Sequence, residues 1–333
     1  MSSFLLAVGF RISKADSSLF IYQHGSDIIY FLLYVDDIVV TGSNDRILQC
    51  FIDALGREFD IKDLGPLHYF LGLQVTFHSN GIHLNQVKYA HDILLKHDLL
   101  LSKPVSTPMS TKSLLSTNDG VLLDNPTVFR EMVGSLQNLT ITRPDIAFAV
   151  NSVSQFMSKP RVPHLIAAKR ILRYIKGTLD HGLSFSPQQQ PVHLSAYSDA
   201  DWAGCPDSRL STSGYLIYLG SNLISWCSKK QPTIARSSAE SEYRSLAHAS
   251  AETTWLGYLL YELGAHIQFP ILLYCDNLSA TYMASNPVFH ARTKHIELDY
   301  HFVREKVALR SHLVNYVPSV DQPADLLTKL TTS

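Results

Sequence analysis

The sequence predicts a mixed chain, α+β in its first part and α/β in its last, with a helical connection between them. Three observations carry this reading. Short β-branched and aromatic runs separated by turn residues fill 19–42, as strands do. Apolar residues recur at helical spacing through 127–176. After the polar, proline-flanked stretch Pro187-Gln-Gln-Gln-Pro191, three consecutive strands give way to alternating helix and strand. That order predicts a five-stranded mixed sheet with flanking helices.

In chain order, 19–24 and 28–35 read as strands around Gly25-Ser26. The second ends in Asp36-Asp37 and resumes as Ile38-Val-Val-Thr41, a hairpin with two acids at its tip. Ile47, Leu48, Phe51, Ile52 and Leu55 give 45–58 a helical apolar face, with Asn44 as its N-cap. Residues 67–77 and 82–84 form a second hairpin around Ser79-Asn80-Gly81, and 85–99 a helix. The pattern dissolves into Ser, Thr, Pro and Leu over 101–125. Helices follow at 127–139, 144–157 and 163–176, Pro144 fitting a first turn. Strands are expected at 193–198, 214–219, 223–228, 271–275 and 312–317. Helices are expected from Ser237 to Leu263, after Asn277, over 296–309 and from about Asp321.

Composition bounds the partners. With 46 % apolar and 17 % charged residues in 333, wholesale disorder is excluded. The four cysteines, at 50, 205, 227 and 275, form no CxxC pair, so reduced thiols in an intracellular, cytoplasmic setting are expected. No apolar run approaches the ~20 residues of a spanning helix, and no signal peptide is evident, so no membrane partner is expected. The net charge of −1 is segregated: −4 over 1–129, +5 over 130–180 and −2 over 193–333. The positive block holds Arg161, Lys169, Arg170, Arg173 and Lys176, a basic stripe opposite Leu165, Ile171, Leu172 and Ile175. Such a stripe can follow phosphates without reading sequence, and a solvated helix face is the competing reading.

Four carboxylates stand at element boundaries in the last part. Asp199 ends a strand, Glu242 begins the long helix, Asp276 ends the fourth strand, and Asp325 opens the last helix. Converging carboxylates without a His or Cys set favour hard cations such as Mg²⁺ or Mn²⁺. Spacing alone leaves Asp201, Glu240 and Asp321 open as alternatives.

Residues 193–330 resemble the RNase H domain of Ty1/copia-type retrotransposon Pol polyproteins. The resemblance rests on Tyr197-Ser-Asp-Ala-Asp-Trp-Ala-Gly204, Ser237-Ser-Ala-Glu-Ser-Glu-Tyr243, Cys275-Asp-Asn277, Lys294-His-Ile-Glu297 and Pro323-Ala-Asp-Leu-Leu-Thr-Lys329. It implies an RNase H-like sheet, two Mg²⁺ or Mn²⁺ ions held by Asp199, Glu242, Asp276 and Asp325, and hydrolysis of the RNA strand of an RNA–DNA hybrid. It gives His295 a part in proton transfer or product release, with a packing role at the helix start equally open. Trp202, Trp226 and Tyr215 are expected in the core rather than stacked on bases.

Leu33-Tyr-Val-Asp-Asp-Ile-Val-Val-Thr-Gly42 resembles the catalytic hairpin of reverse transcriptases. Leu64-Gly-Pro-Leu-His-Tyr-Phe-Leu-Gly72 and Thr142-Arg-Pro-Asp-Ile-Ala147 fit the same polyprotein. The resemblance assigns Asp36 and Asp37 to metal binding together with a third, upstream acid. That motif is absent from the 35 residues before Asp36, so fingers and first palm strands are expected to be missing and polymerase activity lost. The expected organisation is a truncated reverse-transcriptase palm and thumb-like region over 1–100, a linker and helical connection over 101–192, and the RNase H-like part over 193–330. The remainder of a Pol polyprotein is an expected partner. The competing reading is a catalytically inert Pol remnant or a hybrid-binding module. Asn138 stands at a presumed core position where the family commonly has an aromatic residue.

Overall fold

The computed structural model describes residues 1–110, 114–189, 191–286 and 296–330. It divides into two compact units: Met1–Thr76 with Thr254–Ile267, and Phe77–Thr253 with Gln268–Ser333.

Unit one begins with a short helix, α1 (Ser2–Ala7), and an antiparallel sheet in the order β1 (Arg11–Ile12), β2 (Leu19–His24), β3 (Asp27–Tyr34), β4 (Asp37–Gly42). Leu5, Phe10, Phe20, Ile29, Phe31 and Leu55 form its core, and α2 (Asp45–Glu58) covers it. Asn44 caps α2 as expected, its side chain accepting from the amides of Arg46 and Ile47 at 3.1 and 3.5 Å. A small hairpin pairs β5 (Tyr69–Phe70) with β6 (Leu73–His78). The final turns of the long helix, Thr254 onward, also belong to this unit. There Glu262 accepts from Ser13 Oγ at 2.5 Å and from the amides of Lys14 and Ala15 at 3.1 Å.

Unit two opens with β7 (Gly81–Asn85), which pairs with β8 (Leu183–Phe185), and α3 (Val87–Lys96). Three helices follow: α4 (Thr127–Leu139), α5 (Ala147–Ser154) behind a 3₁₀ turn at Pro144–Ile146, and α6 (Val162–Lys176). They share one dry core with α3, built on Leu94, Phe129, Met132, Leu136, Val150 and Ile171. Asn138 lies outside that core: it is exposed, and its Oδ1 accepts from Gln86 Nε2 at 2.9 Å.

The expected five-stranded mixed sheet is present. Its order is β11 (Asn222–Lys230), β10 (Thr212–Leu219), β9 (Val192–Asp201), β12 (Ile267–Cys275), β13 (His312–Tyr316). The first three strands pair antiparallel, and β12 pairs parallel with β13. The long helix α7 (Ser238–Glu262) lays Tyr243, Leu246 and Ala249 into the interior. α8 (Leu278–Ser285) and α9 (Glu297–Ala308) follow β12 and precede β13.

Several expectations change. α4–α6 share their core with α3 and meet the sheet through Ala147, Leu216 and Leu327. β9 continues to Asp201 through pairing with Thr212, so Asp199 lies inside the strand. The last helix is instead two 3₁₀ turns, Ser319–Asp321 and Pro323–Leu327. Pro323 lacks an amide and holds Gln322 extended, which breaks any continuous helix there. Trp202 is 53 % exposed, its indole donating to the Ala235 carbonyl at 3.0 Å, so it is not a core residue. The elements α1, β1 and β8 are too short to carry a periodic signal.

Candidate metal centre

β9 and β12 are neighbours in the sheet, so Asp199 and Asp276, just past Cys275 at the end of β12, come together. The second turn of α7 brings in Glu242, and the final 3₁₀ turn brings in Asp325. Gly214 permits that last approach. A Cβ there would lie 2.7 Å from Leu327 Cβ and 2.9 Å from Thr328 Cγ2. No side chain larger than hydrogen fits between β10 and the segment carrying Asp325.

The result is two adjacent donor groups: Asp199, Asp276 and Asp325, and Glu242, Cys275 and Asp276. Within each, the ligand atoms lie within 4.8 Å of one another, and Asp276 belongs to both. Asp199 is 1 % exposed and held by Thr328 Oγ1, while its carbonyl accepts from Ser245 Oγ at 2.8 Å. Ser319 Oγ donates to Asp276 Oδ2 at 2.7 Å. Burial pushes the Glu242 carboxyl up to about 10, and the neighbouring Asp199 and Asp276 add to this. Burial likewise raises Asp199 to about 6, against the opposing hydrogen bond from Thr328 and the charge of Lys329. Buried acids this crowded resist carrying charge together without a cation. An oxygen-rich, half-enclosed cluster of this kind fits hard divalent ions.

The alternatives fall outside both groups. Asp201 Oδ1 accepts from the Thr212 amide and serves the β9–β10 connection. Glu240 pairs with Arg244 at 2.8 Å and accepts from the Arg236 amide, also at 2.8 Å. Asp321 is exposed on the preceding turn. His295 lies outside the described residues. Sequence reasoning missed Lys329, whose Nζ sits 2.6 Å from Asp325 Oδ1 and 3.7 Å from Asp199 Oδ2. The four-residue spacing of Asp325 and Lys329 was the available signal.

Asp36 and Asp37 lie at an exposed hairpin tip. Val35 there has φ 52° and is 80 % exposed, a strained conformation for a β-branched residue. Among the described residues, neither aspartate falls in a three-donor metal group.

The basic stripe is mostly engaged within unit two. Arg161 donates to the carbonyls of Thr117 and Gly120, both at 2.6 Å. Arg170 bonds Thr107 Oγ1 at 2.7 Å, Arg173 bonds the Lys103 carbonyl at 2.7 Å, and Lys176 bonds the Ser102 carbonyl. These side chains fasten 102–107 and 117–120 to α6; Lys169 stands exposed.

A family model described as reverse transcriptase (RNA-dependent DNA polymerase) matches residues 1–111. The Retrovirus-related Pol polyprotein from transposon RE2 of Arabidopsis thaliana is 49 % identical over 329 residues, 99 % of this chain. The Uncharacterized mitochondrial protein AtMg00810 of the same plant is 48 % identical over 227 residues, covering 68 % of this chain and 94 % of that one. The chain belongs to the Ty1/copia-type retrotransposon Pol family. It spans 22 % of the length of the RE2 polyprotein. Among solved structures, LC11-RNase H1 in complex with RNA/DNA hybrid matches 40 % of this copia-type chain and 93 % of its own, with 14 % identity and a TM-score of 0.32. In this copia-type Pol chain no helix among the described residues is long and apolar enough to cross a membrane.

Proposed function

We propose that the chain is a metal-dependent ribonuclease that hydrolyses the RNA strand of an RNA–DNA hybrid. Asp199, Glu242, Asp276 and Asp325 are its metal ligands and Mg²⁺ or Mn²⁺ its cofactor. The observation that carries this reading is the place of Asp276 in both donor groups, the arrangement that two adjacent ions require. Two such ions, when bound, supply Lewis acidity for an attacking water and charge to balance the departing oxygen of a phosphodiester. The chain's own residues hold the ligands in place. Thr328 and Ser245 fix Asp199, and Ser319 orients Asp276. Burial of Asp199 and Glu242 excludes water that would otherwise compete for their oxygens.

In this reading 1–100 is reverse-transcriptase palm and thumb-like, 101–192 the connection, and 193–330 the ribonuclease part. The hybrid is the substrate, and other parts of a Pol polyprotein are partners. In this reading the chain does not polymerise DNA, because the resemblance calls for a third, upstream acid beside Asp36 and Asp37. Nucleotide incorporation on a primed RNA template tests that point.

The main test is cleavage of a labelled RNA–DNA hybrid by the purified chain with Mg²⁺ or Mn²⁺ and with EDTA. Cleavage with metal, none with EDTA and none by Asp276→Asn is expected. Undiminished cleavage by Asp276→Asn would refute the site. Hybrid binding without cleavage would favour the binding-module reading.

A further inference from the structure

The two donor groups of the carboxylate cluster differ in kind. Asp199, Asp276 and Asp325 offer oxygen alone, whereas Glu242, Cys275 and Asp276 offer oxygen and sulfur together. The donor atoms of the second group lie within 4.8 Å of one another, close enough to meet on one ion. Cys275 is the last residue of β12 and is fully buried. Its carbonyl accepts from the Val317 amide at 3.0 Å. Asn277, two residues on, caps α8 by accepting from the Ala280 amide at 3.1 Å. The strand end and the helix start thus hold Cys275 and Asp276 from both sides. The hydrogen bonds of Cys275 Sγ are long, to Glu242 Oε2 at 3.9 Å and to the Asn277 carbonyl at 4.0 Å, so neither commits the sulfur strongly.

We propose that Cys275 makes this half of the cluster a thiophilic metal site that takes Zn²⁺ on a thiolate sulfur, while the all-oxygen half keeps the preference for Mg²⁺ or Mn²⁺. The inference rests on the metal-centre reading above and adds a sulfur ligand to it. Zn²⁺ accepts sulfur and carboxylate oxygen together, and three protein ligands with an open fourth position suit it. Mg²⁺ gains little from sulfur, because it is a hard ion that selects oxygen. On binding Zn²⁺ the thiol gives up its proton to solvent. Among the described residues, Cys50, Cys205 and Cys227 fall in no three-donor group, so sulfur ligation is particular to Cys275.

The experiment titrates Zn²⁺ and Mn²⁺ separately into the metal-free full chain by calorimetry and examines the Zn²⁺ form by X-ray absorption. One sulfur at about 2.3 Å and oxygens at about 2.0–2.2 Å are expected around zinc. Loss of a group that merely supports a ligand costs roughly 10–100-fold in metal affinity, so loss of the sulfur itself in Cys275→Ser should lower the Zn²⁺-to-Mn²⁺ affinity ratio by about 100-fold. The sulfur signal should survive in Cys50→Ser, Cys205→Ser and Cys227→Ser, and these three decide should Cys275→Ser fail to fold. Absent zinc binding, a zinc shell of oxygen alone, a sulfur signal lost with one of those three cysteines, or an affinity ratio unchanged in Cys275→Ser would each overturn the proposal. Hybrid cleavage is scored apart. Zinc on the Cys275 sulfur in a chain that cleaves no hybrid leaves this inference standing and removes the nuclease; metal-dependent cleavage with an all-oxygen zinc shell does the reverse.

Discussion

His312 provides a test of the sheet's interior that needs only a change of pH. It opens β13, is 3 % exposed, and lies with Nε2 3.1 Å from Thr253 Oγ1 and Nδ1 3.0 Å from Ser311 Oγ. Thr253 Oγ1 already donates to the Ala249 carbonyl at 2.8 Å, so the imidazole is the donor to Thr253. Burial, helped by the charge of Lys306, lowers the ring from 6.5 to about 4. The unfolded chain therefore binds more protons than the folded one between these values. Stability is complete above the unfolded value and falls as pH drops towards the folded one. From those two values, lowering the pH from 7 to 5 costs about 2 kcal/mol at this one group. Urea unfolding followed by tryptophan emission at both pH values, for the unaltered chain and His312→Gln, isolates the contribution. The variant should lose about 2 kcal/mol less over this range. Equal losses in both proteins, or an NMR titration placing His312 near 6.5, would refute the reasoning.

Four further predictions concern the site and its approaches. Gly214→Ala should abolish hybrid cleavage while leaving β9 and β10 paired. Its Cβ displaces Leu327 and Thr328, and with them Asp325 and Lys329; retained activity would show that the last segment does not deliver a ligand. Lys329→Met should tighten Mn²⁺ binding by calorimetry, since the ammonium lies against Asp199 and Asp325, where a cation belongs; weaker binding would make Lys329 a supporting group instead. Lys169→Ala should lower the log–log salt slope of hybrid binding by about 0.9 for one lost phosphate contact. Arg173→Ala should chiefly loosen 102–107, measured as faster proteolysis there.

The sheet was legible because its strands are short apolar and aromatic runs bounded by turn residues or by the long helix. The helices 127–139 and 163–176 were legible because their apolar spacing reflects a single shared core. The carboxylates were legible as a set, but the choice within each pair was not. Asp199 and Asp201 differ by two positions on one strand, and only the pairing of Asp201 with the Thr212 amide separates their roles. Glu240 and Glu242 share a helix start, and Arg244 claims the first. The last segment misled because Pro323 and Asp325 fit a helix opening equally well, whereas Gln322 ahead of Pro323 stays extended and leaves two separate 3₁₀ turns. The two-unit division was hidden because α7 contributes to both units, and a hydrophobic pattern does not say which core each turn enters.

The stripe of α6 shows how sequence charge and available charge differ. The segment 130–180 carries +5, which reads as attraction for a polyanion. In the fold, four of its five candidate cations bond oxygens of 102–107 and 117–120. An arginine engaged this way keeps its charge but gives up part of its donor fork and its freedom to reach a phosphate. Counterion release at that surface is therefore smaller than the sequence count suggests. The region from 193 onward carries −2, and its site gathers carboxylates, which repel phosphates until cations fill it. Under the proposed function, attraction for an RNA–DNA hybrid would then depend chiefly on ions held by Asp199, Glu242, Asp276 and Asp325, with Lys169 assisting. On this view EDTA removes affinity as well as catalysis. A protein bound mainly through its basic helix would keep its affinity when the metal is withdrawn.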